Sequence, residues 1–185
     1  MSKFLDIDGL EYYTKTFVKP GLTEFVDTIA DKNLFYLDLA TIYQNELNGL
    51  SAVQNTDGSV TISGTLTDTT KQSVCYLSQR KANLQEFIGC VISGGINTDA
   101  SLRIQNSNSP YNTIVYSTGD GEVIPNTLPS ESVIYIRIAA TTSSVNYIFY
   151  PMICTLDNWN VSHQYVPYRN GLATKEEIKD CFQNA

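Results

Sequence analysis

The chain has 185 residues, of which 42% are hydrophobic and 17% charged, and its formal net charge is −7. That length holds a core of ordinary size plus an appendage, and the hydrophobic fraction excludes a disordered chain. The acidic balance, with no dense cluster of Lys and Arg, argues against a nucleic-acid partner, and no apolar run reaches membrane-spanning length, so membrane insertion is not expected.

Residues 6–32 carry a helical pattern. Asp8 can cap a helix that starts near Gly9-Leu10, with Glu11 in its first turn. Leu10, Tyr13 and Phe17 follow at spacings of three and four, Pro20-Gly21 interrupts them, and Leu22, Phe25, Val26 and Ile29 resume the stripe. Two short helices with a break at Pro20 are expected. Neither is long enough to be stable alone in water, so the stripe must pack on the rest of the chain or on copies of itself. Its terminal position and its resemblance to a coiled-coil seam favour self-association, which makes these seven residues the candidate oligomerisation set. Met1-Ser2-Lys3 leads straight into charged residues and shows no secretory signal, so synthesis and folding in a cytoplasm are expected.

Residues 34–39 read as an edge strand or an extended connector. From Asn48 the period changes to two. Residues 50–53 and 60–66 flank Asn55-Thr56-Asp57-Gly58, a turn composition suited to a hairpin. In the second arm Val60, Ile62 and Leu66 share one face with Gly64, while Ser59, Thr61, Ser63 and Thr65 share the other, giving one dry and one wet face. Further strands are expected at residues 74–77, 87–92, 102–105, 113–116, 133–139 and 147–150. In the fifth of these Ile134, Ile136 and Ile138 alternate with Tyr135 and Arg137. The run from Tyr147 to Cys154 is apolar enough to be buried on both faces, with Pro151 at an edge, bulge or bend. About eight short antiparallel strands separated by Gly-, Asn- and Ser-rich turns predict a mainly β chain, a jelly-roll-like antiparallel β-sandwich. Asn170-Gly171 then breaks the chain, and Thr174 with Glu177 forms a capping box for a short C-terminal helix bearing Ile178 and Phe182. The expected division is residues 1–32 for the helical oligomerisation segment, 33–169 for the β-sandwich and 170–185 for the C-terminal helix.

Catalytic patterns are missing from the sequence. No phosphate-binding Gly-rich loop, HExxH or GxSxG occurs, and the one histidine, His163, sits in a polar segment where a structural hydrogen bond is the simpler role. Asp99, Asp120, Glu122 and Asp157 lie in turn-like segments rather than as a positioned acid–base pair. No enzyme activity, cofactor or metal is expected. Cys75, Cys90, Cys154 and Cys181 match no zinc spacing. The first three lie among strand residues and read as small buried hydrophobes, with a Cys75–Cys90 disulfide as the sharper alternative. Sugar-binding surfaces use exposed aromatics with amides and carboxylates beside them. Trp159 with Asp157 and Asn160 has that composition, and Tyr111 and Tyr116 are further candidates; for Trp159 the alternative is a lid over the end of the sandwich.

Three stretches carry a resemblance. Phe4-Leu5-Asp6-Ile7-Asp8-Gly9-Leu10-Glu11-Tyr12-Tyr13 resembles the opening of tail and fibre proteins of phages that infect Firmicutes and related gut bacteria. The stretch from Asp57 to Thr65 resembles the first hairpin of their carbohydrate-binding-like sandwiches. Pro151-Met152-Ile153, a polar loop and Tyr165-Val166-Pro167-Tyr168 resemble their closing segment. The resemblance implies a structural virion protein of a tail fibre, baseplate or head fibre, assembled as a homotrimer. Other virion proteins would be its partners and host cell-surface polysaccharide its ligand. The reading from a different class is a free carbohydrate-binding module or lectin, which needs no oligomerising stripe; a hydrolase is a third.

Overall fold

The computed structural model describes residues 12–14, 33–37, 47–79, 81–140, 144–168 and 172–174. The described chain is mainly β, and every strand pairing in it is antiparallel. The described residues form twelve strands: β1 (Tyr12–Thr14), β2 (Leu50–Gln54), β3 (Val60–Thr65), β4 (Ser73–Tyr76), β5 (Val91–Ser93), β6 (Ala100–Asn106), β7 (Thr113–Ser117), β8 (Glu122–Val123), β9 (Ser132–Ile138), β10 (Ser144–Phe149), β11 (Met152–Cys154) and β12 (Leu172–Thr174). Among the described residues one α-helix, α1 (Leu156–Val161), follows β11. The strands form a four-stranded sheet β4-β9-β6-β7, three-stranded sheets β10-β3-β2 and β11-β5-β8, and the pair β1-β12.

The alternation in the sequence decides which side chains form the core. Val60 and Ile62 of β3, Val145 and Phe149 of β10, and Leu50 of β2 join one apolar cluster with Leu102 and Ile104 of β6 and Ile134, Ile136 and Ile138 of β9. Ile92 of β5 and Ile153 of β11 join the same cluster. Each strand presents every second residue to it, as the pleat dictates. Ile104, Ile134, Ile136, Phe149 and Ile153 have no measurable exposure. At about 25 cal/mol per Å² of apolar surface removed from water, this burial is the main stabilising term.

The β2–β3 hairpin forms where the turn composition placed it. Asn55 N–H donates to the Ser59 carbonyl at 2.8 Å, and Gly58 takes φ of 79°, a left-handed conformation that favours glycine. A second local knot is built by Asn48. Its Nδ2 donates to the carbonyls of Asp68 and Lys71, while its Oδ1 accepts from Thr67 Oγ1 and the Asp68 N–H.

The apolar run from Tyr147 to Cys154 divides between two sheets. β10 ends at Phe149, and Ile148 and Tyr150 remain 47% and 41% exposed, so burial on both faces is corrected for this half. Pro151, which has no N–H to donate, lies at the break. The other half of the run, β11, is buried on both faces: Ile153 joins the main cluster, and Met152 and Cys154 form a second cluster with Val91, against which Trp159 and Tyr165 pack. Residues 33–37 are an extended connector tied to this strand. Leu34 N–H donates to the Ile153 carbonyl at 2.7 Å, and the buried Asn33 side chain accepts from the N–H groups of Phe35 and Ile153.

Other expectations need correction. Tyr12–Thr14 is a strand paired with Leu172–Thr174, not part of a helix, and Thr174 is in that strand rather than capping one. Tyr-Tyr-Thr and Leu-Ala-Thr are β-favouring or neutral locally, and the pairing satisfies backbone groups that the helical spacing of Tyr13 does not fix. The remaining oligomerisation candidates, Leu10, Phe17, Leu22, Phe25, Val26 and Ile29, lie outside the described residues, as does the chain from 175 to 185. Gln85–Phe87 forms a 3₁₀ turn, so the strand expected from residue 87 begins only at Val91. Cys75 and Cys90 are free thiols, not joined to each other, and Cys75 and Cys154 are buried. Burial pushes the Cys75 thiol up to about 12, the behaviour of an inert apolar filler.

Candidate functional site

The outer face of the four-stranded sheet is built from the residues that alternate with the core positions. In register, Tyr76 lies opposite Tyr135, Tyr135 opposite Arg103, and Arg103 opposite Tyr116. These four side chains make one row across all four strands. The Tyr76 and Tyr135 rings are 6.2 Å apart, and together with Val133 and Val74 they form an apolar cluster separate from the main core. The Arg103 guanidinium sits 4.2 Å over the Tyr116 ring, and its Nε donates to Ser101 Oγ at 3.0 Å. Tyr116 in turn donates its hydroxyl to the Thr98 carbonyl at 2.9 Å. One row further, Arg137 lies opposite Val74 and Ser101, and its Nε donates to Gln72 Oε1 at 2.7 Å.

Two depressions mark this face. One, of about 930 Å³, is lined by Val74, Arg137, Gln72 and Lys71 among others. The other, of about 440 Å³, is lined by Tyr76, Val133, Gln105, Ser107, Lys81 and Tyr111. Tyr111 comes from the β6–β7 connection. It is 60% exposed and holds φ of 47°, a left-handed conformation unusual for a bulky side chain, with its N–H donating to the Asn108 carbonyl. Lys81 pairs with Glu131 at 3.2 Å. That ammonium, and then the Asn108 amide, hold the Glu131 carboxyl below its ordinary range. The second depression thus combines two tyrosines, an amide, a hydroxyl and the Lys81 ammonium. Such a set can stack on an apolar sugar face and hydrogen-bond its hydroxyls.

Trp159 lies elsewhere. Thr155 caps α1, its hydroxyl accepting from the Asn158 N–H, and the helix lays Trp159 against Val91, Met152 and Cys154. The His163 ring stacks on the indole at 4.2 Å and 7°, covering one face. Under the ring, Gly121 leaves no room for a side chain: an added Cβ would stand 2.6 Å from the indole. A cleft of about 280 Å³ beside it is lined by Trp159, His163, Tyr150, Tyr165, Ile148 and a glycine-rich wall. Tyr165 packs its ring against Tyr150 and donates its hydroxyl to the Asp57 carbonyl at 3.0 Å, closing the exit segment over the β2–β3 hairpin. Burial, then Asp57 and Tyr150, push this phenol up to about 12.

Of the residues singled out from the sequence, Tyr111 and Tyr116 fall on the four-stranded sheet and its hairpin, whereas Trp159, Asp157 and Asn160 belong to α1. Asp157 and Asn160 are exposed and do not line the cleft with Trp159. Tyr76, Tyr135, Arg103, Arg137, Gln105 and Lys81 were not singled out as ligand-binding. The signal was present: Arg103 and Gln105 alternate with Leu102 and Ile104, as Tyr135 and Arg137 alternate with the isoleucines of β9. Among the described residues no group of three or more His, Cys, Asp or Glu side chains converges to hold a metal, and no helix is long and apolar enough to cross a membrane. No family model, curated protein or solved structure matches the chain.

Proposed function

We propose that this chain is a non-enzymatic component of a phage virion appendage, a tail fibre, baseplate or head fibre. In this reading its β region is a jelly-roll-like sandwich that binds host-surface glycans on the outer face of the four-stranded sheet. The resemblance of the opening, hairpin and closing stretches supports the particle. Sheets β10-β3-β2 and β4-β9-β6-β7 contributing alternate residues to one core supports the sandwich.

The observation that carries the ligand class is the row Tyr76–Tyr135–Arg103–Tyr116 with Tyr111 beside it. Tyr76 and Tyr135 are 8% and 4% exposed, so the groups of this row open to a ligand are Arg103 and Tyr116, with Tyr111 beside them. A left-handed tyrosine costs of order 1–3 kcal/mol, which points to a positioned side chain. Trp159, covered by His163 on one face and packed on Met152 and Cys154, acts in this reading as the lid of the β5–β11 layer.

Retention on host cell walls tests the proposal. Wild-type protein should be retained, Tyr111→Ala should lose retention with an unchanged melting temperature, and Trp159→Ala should lower the melting temperature. A folded wild type retained on no host wall or capsular polysaccharide overturns the glycan reading. Assembly is tested separately. Replacing Leu22 and Phe25 with Asp buries charges in the proposed trimer seam at a cost of several kcal/mol, roughly, so light scattering should show smaller species. A wild type that is monomeric at micromolar concentration favours the free carbohydrate-binding module instead.

A further inference from the structure

The smaller depression of the four-stranded sheet, about 440 Å³, lies within the size range of small-molecule sites, and its parts differ in chemistry. Its floor is Tyr76 and Val133, members of the small apolar cluster that they form with Tyr135 and Val74. They are 8% and 2% exposed, so this floor has room for one small apolar group and too little for the face of a sugar ring. The open aromatic ring is Tyr111, at 60% exposure.

Gln105 lies opposite Val133 in the β6–β9 register, so its side chain lines the depression directly beside that floor. It is half-buried, and its amide makes no hydrogen bond among the described residues, which leaves both a donor and an acceptor to offer. Charge here is already balanced, because the Lys81 ammonium is paired with Glu131 at 3.2 Å. An anion would compete with that carboxylate, whereas a neutral polar group leaves the pair intact.

A ligand fitted to these parts needs a ring for Tyr111, a short apolar end for the floor and a neutral polar group for Gln105. A plain hexose would set a hydroxyl on the apolar floor, where it loses its hydration without a partner. An acetamido substituent meets the last two needs at once: it carries a methyl, and beside the methyl an amide that pairs with another amide. Resting on the glycan reading above, we infer that this depression binds an N-acetylated amino sugar, its methyl on Tyr76 and Val133, its amide on Gln105 and its ring against Tyr111.

The test uses the full chain and beads carrying two pairs of neutral oligosaccharides: chitohexaose with cellohexaose, and an N-acetylgalactosamine hexamer with an identically linked galactose hexamer. The members of each pair differ in having acetamido or hydroxyl at one carbon. At least one acetamido member should bind about twentyfold tighter than its hydroxyl partner, the joint worth of one buried methyl and one hydrogen bond. Gln105→Ala should reduce that ratio to about fourfold, the share of the methyl alone. Tyr111→Ala should weaken both members of the pair and leave their ratio unchanged, because it removes the ring contact that they share. Equal binding of acetamido and hydroxyl members, or an unchanged ratio in Gln105→Ala, overturns the acetamido assignment and leaves the glycan reading standing. So does a wild type that host walls retain but no bead binds. Retention on neither beads nor walls overturns both.

Discussion

Asn33 is the residue whose replacement separates a structural tie from a passive connector. Its side chain is 2% exposed, and Oδ1 accepts from two backbone donors, Phe35 N–H at 3.0 Å and Ile153 N–H at 3.2 Å. Nδ2 reaches the Pro151 carbonyl at 3.4 Å. Asn33→Ala removes the shared acceptor and strands both donors, each beside residues that exclude water. A buried donor left without a partner costs about 1–3 kcal/mol, so the pair predicts a loss of about 2–6 kcal/mol. That is a large fraction of the 5–15 kcal/mol, roughly, that holds such a domain folded. Asn83→Ala is the control. Asn83 accepts from Gln85 N–H in the same kind of local bond, but at an exposed position where water can replace it, so its loss should stay below about 0.5 kcal/mol. Urea unfolding followed by the far-ultraviolet β signal gives both values, with an unchanged slope confirming that the denatured state is not altered. Equal losses at the two positions would refute the claim that burial of the Asn33 tie holds the connector to β11.

Other expectations follow from the core, the hairpin and the titrating groups. Ile136→Ala, at a position of zero exposure in the main cluster, should cost about 2–5 kcal/mol in the same assay; a loss under about 1 kcal/mol would mean the β9 register is wrong. Gly58→Ala forces an L-residue to φ of 79° and sets its Cβ 2.7 Å from Tyr165 Oη, so it should cost about 1–2 kcal/mol for the backbone alone and more if the Tyr165 bond to Asp57 breaks. Tyr165 and Cys75 both titrate higher in the folded state, at about 12 from 10.0 and about 12 from 9.0. The folded state therefore binds protons more tightly, so stability is highest below pH 9 and falls as pH rises from 9 to 12. Denaturation midpoints against pH should show this fall, and Tyr165→Phe should make it shallower between pH 10 and 12; parallel profiles would contradict it.

Most of the strand order was legible because the period-two pattern is strong where one face is buried. The β2–β3 hairpin could be placed from Asn55-Thr56-Asp57-Gly58, and β9 from three isoleucines at alternate positions. Legibility failed where tertiary contacts override local composition. Leu156–Val161 reads as a polar loop, yet the Thr155 cap and the packing of Trp159 on Met152 and Cys154 make it a helix. Glu122–Val123 is too short to show a period and exists because β5 offers it an edge. Spacing alone placed Tyr13 in a helix, and pairing with Ala173 makes it a strand residue. The site was half legible for a related reason. Exposed Tyr111 is visible as an aromatic in a turn, but the cross-strand row from Tyr76 to Tyr116 joins residues from four separate segments. Only pairing registers bring them together.

The central claim is that glycan binds the outer face of β4-β9-β6-β7, and it is tested most directly by mapping backbone amide shifts on titration with fragments of host surface polysaccharide. The account predicts shifts concentrated at Tyr76, Arg103, Gln105, Tyr111, Tyr116 and Arg137, with the amides of β10 and α1 unmoved. Shifts confined to the cleft around Trp159, Tyr150 and Tyr165, or none at saturating fragment concentration, would contradict it.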